Sequence, residues 1–153
     1  MGPRPNFAHA GITRTSAAPP PGFRLVERRT QLRVDAATAR TVVMTWGVKT
    51  RAGFRVTEGE VAPGAEFTVR LGPVREPVRV AWVTEEGFGY ETLEGHPLSG
   101  EEAFLVEASS DGRVWFVNRS VSRPVGGWRA VAPLLRLAQS FFVRRYGAVM
   151  RAL

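Results

Sequence analysis

Apolar residues alternate with polar ones through the middle of the chain and recur at helical spacing near both ends. Phe23 to Val34 alternates well enough for a strand, anchored by Leu25, Leu32 and Val34. Asp35 stands where an N-cap belongs. From there the spacing predicts a helix to about Val48, through Ala36, Ala37, Ala39, Val42, Val43 and Trp46. Lys49 and Arg51 fall at its C-terminal end, where the helix dipole favours cations, and Gly53 ends it.

The period then changes to two. Phe67, Val69 and Leu71 form one alternating set, Gly72-Pro73 a turn, and Val78, Val80 and Trp82 a second set. Strands are also expected at Phe88 to Leu93, Glu101 to Ala108, and Arg113 to Arg123, which Pro124 ends. Asp111-Gly112 supplies the positive φ angles of a hairpin turn. Sequential strands with short turns should pair as an antiparallel meander. From Trp128 the helical period returns. Val131, Leu134, Leu135, Ala138, Phe141, Phe142, Arg145 and Val149 share one stripe, while Arg136, Gln139, Ser140 and Arg144 mark the other side. A helix of about 20 residues, roughly 30 Å, crosses a whole small sheet. The pattern predicts an α+β fold in which a curved antiparallel sheet wraps around a long C-terminal helix. Residues 1–22, rich in Pro, Gly, Ala and Ser, form an arm that wanders or lies across this domain, which spans 23–153.

Composition narrows the class. At 153 residues, 44% hydrophobic and 23% charged, the chain suits one globular domain and is too apolar for a disordered one. The longest apolar run, Val131 to Val143, is interrupted by Arg136, Gln139 and Ser140 and is short for a membrane span. The N-terminus lacks the apolar core of a signal peptide, and Asn6 stands where a myristoylation signal needs Ser or Thr. There is no cysteine, which removes disulfides and thiol nucleophiles and makes the cytoplasm the expected compartment.

A net charge of +7 points at first to nucleic acid or an anionic membrane. Its distribution weakens that reading. Residues 1–57 hold ten basic and two acidic groups, 58–111 hold three and twelve, and 112–153 hold eight and none. Basic ends around an acidic middle can satisfy one another within one fold, so nucleic acid is the weaker partner. The Arg-bearing C-terminal helix leaves peripheral contact with an anionic membrane open, although its stripe is expected to be spent on the sheet.

Candidate chemistry is sparse. His96, in a Gly-flanked loop before Glu101 and Glu102, forms an acid–base candidate with Glu101 and Tyr90, and a structural turn is the favoured explanation of it. His9 and His96 match no metal spacing, no serine sits in a nucleophile elbow, and no dinucleotide fingerprint occurs, so neither metal nor cofactor is expected. Aromatic residues are more informative. Trp82, Tyr90, Phe104 and Trp115 on strands, with Leu135, Phe141 and Phe142 on the final helix, are expected either to pack the core or to line a cavity for a small apolar or amphipathic ligand. Asn118, Ser122 and Arg123 are the candidate polar groups, Arg123 as a clamp for a carboxylate or phosphate. Trp46 and the arm before Phe23 are candidates to close one end. Strand 113–123 is apolar at both parities, so the pattern leaves its inward face open.

The segment from Phe88 to Phe104, with Gly-His-Pro at 95–97 and Ser-Gly-Glu-Glu at 99–102, resembles the motif of a bacterial and plant family known as domain of unknown function nineteen-ninety. Gly11, Thr13 and Arg14, Pro20 to Phe23, Trp46, and Ser122-Arg123-Pro124 match further pieces, so the likeness runs from about Phe7 to Ala152. Glu91 departs from the pattern where Gly is common, and Leu98 where an acid is common. The resemblance implies a helix-grip fold like that of the START and birch-pollen-allergen superfamily, which usually holds an apolar ligand between sheet and C-terminal helix. It implies no catalytic residues.

Overall fold

The computed structural model describes residues 2–153. Seven strands form one antiparallel sheet, and a long helix closes its concave face. In chain order these are β1 (Arg24–Gln31), α1 (Ala36–Met44), α2 (Gly47–Arg51), β2 (Arg55–Val56), β3 (Glu66–Leu71), β4 (Val74–Thr84), β5 (Gly87–Thr92), β6 (Leu98–Ala108), β7 (Val114–Pro124) and α3 (Ala132–Arg151). Short 3-10 turns at Ile12–Arg14 and Gly126–Val131 complete the set. The spatial order is β1-β7-β6-β5-β4-β3-β2: β2 to β7 run as a meander, and β1 pairs with β7 at the far edge. The α+β, helix-grip arrangement expected from the sequence is the one observed. Among the described residues, no helix is long and apolar enough to cross a membrane.

The main core lies between the concave face and the helices. Phe67, Val69, Val78, Val80, Phe88, Phe104, Val106 and Phe116 rise from the strands to meet Ala39, Val43, Trp46, Tyr146 and Met150. Even-numbered residues of β7 therefore point inward. A smaller cluster of Trp82, Ala103, Leu105 and Val117 occupies the convex face.

Three local departures from the expected pattern have physical causes. Val80 pairs with Tyr90 but Trp82 pairs with Gly89, so Ala81 is an extra residue in β4. This bulge flips the alternation and sends Trp82 to the convex face instead of the side shared by Val78 and Val80. Gly89 makes room for it, since a Cβ there would lie 2.3 Å from the indole nitrogen. The first helix is two. Asp35 caps α1 by accepting the Thr38 N–H at 2.7 Å, but the chain leaves helical geometry at Trp46, whose φ is +61°, and restarts as α2. On α3 the buried stripe is rotated from the expected one. Val143, Tyr146, Gly147 and Met150 are buried, whereas Leu134 and Phe141 face solvent. Gly147 sets this phase, because a Cβ there would meet the Thr30 hydroxyl of β1 at 2.7 Å.

The N-terminal arm lies across the domain. Pro5 bridges to Leu93, and the Asn6 side chain donates to the Leu98 carbonyl at 3.2 Å. Thr13, in the first 3-10 turn, is fully buried.

Candidate functional site

One end of the concave face is not filled. A cavity of about 200 Å³ lies between β4 to β7 and the first three turns of α3. Phe54, Leu71, Val74, Leu135, Ala138 and Phe142 give it apolar walls, and Trp128 stands at its rim. Its floor is polar and holds the single lysine of the chain.

The break at Trp46 sets that floor. Restarting the helix as α2 turns Lys49 inward, where only 4% of it stays exposed. Its ammonium donates to the Tyr146 hydroxyl at 2.7 Å and lies 3.3 Å from Glu102 Oε1. It also faces the rings of Phe54, Tyr146 and Tyr90 at 4.4, 5.0 and 5.7 Å. Glu102 is engaged on both oxygens: Tyr90 donates to Oε1, and the Asn118 amide donates to Oε2 at 3.1 Å. Burial works against the lysine charge, and the oxygens of Tyr146, Tyr90, Glu102 and Glu76 outweigh it, so its pKa stands well above the ordinary value. Burial raises the pKa of Tyr90 and of Tyr146, keeping both hydroxyls protonated. Burial also raises Glu76, and Lys49 opposes it.

His96 lines the same cavity. Its Nδ1 accepts the Leu98 N–H at 2.9 Å, which fixes the proton on Nε2, facing Glu76 Oε1 at 3.9 Å. Burial and then the Lys49 charge push its pKa down to about 3, so the ring is neutral at physiological pH. The pair is a neutral imidazole near a carboxyl group rather than a salt bridge.

Tyr146 accepts from Lys49, so its own proton is left to point elsewhere. With Ser120 and the His96 Nε2–H it makes the floor rich in hydrogen-bond donors. Gln139, expected on the outer side of the helix, lines the cavity and donates to the Ser122 hydroxyl at 2.9 Å.

The structure gathers some of the expected site residues and disperses others. Tyr90, His96, Leu135 and Phe142 line the cavity. Phe104 lies beneath it, edge-on to Tyr146 at 5.5 Å, and Asn118 braces Glu102. Trp82 is on the convex face, and Trp115 sits under the Arg29 guanidinium at 4.9 Å with its indole N–H on Ser109. Phe141 is 58% exposed. Arg123 is exposed too, lying over the Phe23 ring at 4.6 Å. Trp46 packs on Phe67, Phe88 and Tyr90 inside the core instead of closing an end.

Glu101 borders the cavity, but its carboxylate serves the arm. It accepts the N–H groups of Gly11 at 2.6 Å and Thr13 at 2.9 Å, the Thr13 hydroxyl, and the Trp82 indole N–H at 3.1 Å. Three of these donors fall on Oε2 and one on Oε1, which commits the carboxylate to the arm rather than to acid–base work beside His96. Glu91 answers a similar question: it pairs with Arg79 at 3.3 Å and does not line the cavity. Among the described residues, no three His, Asp or Glu side chains gather as a metal site.

Lys49, Glu76, Glu102 and Tyr146 are the site residues that sequence reasoning missed. Two signals were there. One lysine among 21 basic residues marks a position where arginine does not serve. Adjacent glutamates on a strand must also point to opposite faces, so one of Glu101 and Glu102 had to enter the concave side.

Fold and site together define an α+β helix-grip domain with a small, polar-floored cavity under its C-terminal helix. The family model for a domain of unknown function (DUF1990) matches residues 6–149, and the chain belongs to that family. It is 39% identical over 77 residues to a UPF0548 protein of Deinococcus radiodurans, and 34% identical over 79 residues to the UPF0548 protein At2g17695 of Arabidopsis thaliana. Those matches take in 47% and 44% of this chain, and the chain spans 39% and 38% of the relatives' lengths. The crystal structure of the hypothetical protein jhp0584 from Helicobacter pylori superposes with a TM-score of 0.66 at 13% identity, covering 90% of this chain and 96% of that one, a likeness of fold alone.

Proposed function

We propose that the protein binds a small amphipathic molecule in the cavity between the sheet and α3. The molecule's hydrogen-bond-accepting head lies on the Lys49–Tyr146 floor and its apolar body lies against Phe54, Leu135 and Phe142. The observation that carries this reading is the buried lysine and tyrosine opening into an apolar chamber. Small-molecule sites combine apolar walls with a few placed polar groups in this way. The resemblance to the START-like superfamily supports the same location.

Size and charge narrow the ligand. A dry cavity of about 150 Å³ holds benzene, so about 200 Å³ suits one ring with a short substituent. The Lys49 charge is already answered by Glu102, which favours a neutral acceptor such as a carbonyl over a second anion. Binding is favoured over catalysis. The raised pKa of Tyr146 keeps its proton in place, so it can donate a hydrogen bond but is a poor acid, and the Glu101 carboxylate is spent on the arm.

Calorimetric titration with acetophenone and with the matched hydrocarbon ethylbenzene tests this. Acetophenone is expected to bind the more tightly, and Phe142→Ala to weaken it roughly tenfold or more through lost apolar contact. Trp115→Ala, remote from the cavity, is expected to leave binding unchanged. Equal affinity for both probes, or none for either, counts against the reading.

A further inference from the structure

The first half of α3 carries two apolar rows about 100° apart. Leu135, Ala138 and Phe142 face the cavity. Leu134, Leu137 and Phe141, spaced by three and four, form the neighbouring row and are 64%, 69% and 58% exposed. Trp128 and Val131, in the turn before the helix, are 39% and 38% exposed. One row faces the cavity and the sheet, and a contiguous exposed apolar set such as the other marks an interaction surface.

The surrounding charges choose the partner. Arg129, Arg136 and Arg144 are exposed on the same stretch, as is Arg145, which donates to the Ala52 carbonyl at 2.7 Å, and residues 112–153 carry eight arginines and no acid. Among the described residues, none of these four arginines pairs with a carboxylate. We propose that this face of α3 docks on an anionic membrane surface. Leu134, Leu137 and Phe141 enter the boundary between headgroups and acyl chains, and the arginines meet lipid phosphates. Nucleic acid would use the arginines and leave the apolar residues in water. A second copy apposed through the same face would bring one arginine set against the other. Trp128 belongs both to the cavity rim and to the exposed set, so docking puts the cavity mouth at the lipid surface. The docking stands whatever the cavity holds.

Co-flotation of the whole protein with vesicles tests it, using phosphatidylcholine alone and phosphatidylcholine mixed with phosphatidylglycerol. The protein is expected to float with the mixed vesicles and not with phosphatidylcholine, to lose binding as salt rises, and to shift its tryptophan emission to the blue when bound. L137E, at a position already 69% exposed, is expected to stay folded by circular dichroism and to lower partitioning roughly tenfold or more. R136E with R144E is expected to remove the preference for anionic lipid. No flotation with either vesicle overturns the proposal, as does unchanged partitioning of L137E. A concentration-dependent dimer abolished by L137E, without vesicle binding, assigns the face to a second copy instead. Duplex DNA bound equally by wild type and L137E, again without vesicle binding, assigns the arginines to nucleic acid; either result overturns the membrane assignment.

Discussion

Lys49 carries its charge where every neighbouring group has to answer it. Tyr146 and Glu102 do so directly, and Tyr90 and Asn118 hold Glu102 in place. Removing one partner of a buried pair strands the other, so Lys49→Met is expected to destabilise the fold by about 3–5 kcal/mol. Adding Glu102→Gln should recover much of that loss, because the stranded carboxylate becomes a neutral amide. Denaturant unfolding of the two single variants and the double variant measures the coupling; strictly additive losses would contradict the pairing. His96 makes a prediction about pH. Its folded pKa of about 3 lies below the ordinary 6.5, so between those values the unfolded chain binds a proton that the folded protein refuses. Stability therefore falls as pH drops below 6.5, by about 2 kcal/mol on reaching pH ~5. His96→Gln should flatten that part of the profile, and a wild-type midpoint that does not move over this range would refute the buried neutral ring.

At the scale of elements, β6 shows how neighbouring residues serve opposite faces. Glu102 enters the cavity floor, while Glu101 fastens the arm through Gly11 and Thr13. Arg119 reinforces the same joint, donating to the Thr13 carbonyl at 2.8 Å and pairing with Glu27. Gly11, Thr13 and the Ser-Gly-Glu-Glu segment, picked out together in the sequence, thus meet in space. Glu101→Gln is expected to cost about 1–3 kcal/mol by leaving buried donors unmatched. It should also speed tryptic cleavage at Arg14, and cleavage at the wild-type rate would show the arm to be held by other contacts. The strands other than the short β2, the Asp35 cap and the hairpin turns were legible because alternation and turn chemistry are local. The phase of α3 was not, because two neighbouring rows of its first half are apolar and the choice is made by Gly147 against Thr30, a contact between distant segments. The site was half legible for a related reason. Tyr90, Leu135 and Phe142 follow from pattern, but a buried lysine reads in sequence as an ordinary helix-terminal cation until the break at Trp46 turns it inward.

Over the whole molecule, the uneven charge resolves into two regimes. Lys49 with Glu102 and Arg29 with Glu107 join the basic first segment to the acidic middle, as the block pattern suggests. Among the described residues, the arginines of α3 pair with no carboxylate, and they lie beside exposed leucines and Phe141. The convex face is occupied by the arm, and the concave face is filled by the core except where the cavity opens under α3. That helix thus holds the sheet with its second half, while its first half roofs the cavity on one side and meets solvent on the other.

Native mass spectrometry of gently purified full-length chain, followed by analysis of its organic extract, tests the binding account most directly. The account predicts a small added mass that vanishes on denaturation, returns on adding acetophenone, and is reduced in Phe142→Ala. A bare chain mass that stays bare when acetophenone or ethylbenzene is added would contradict it.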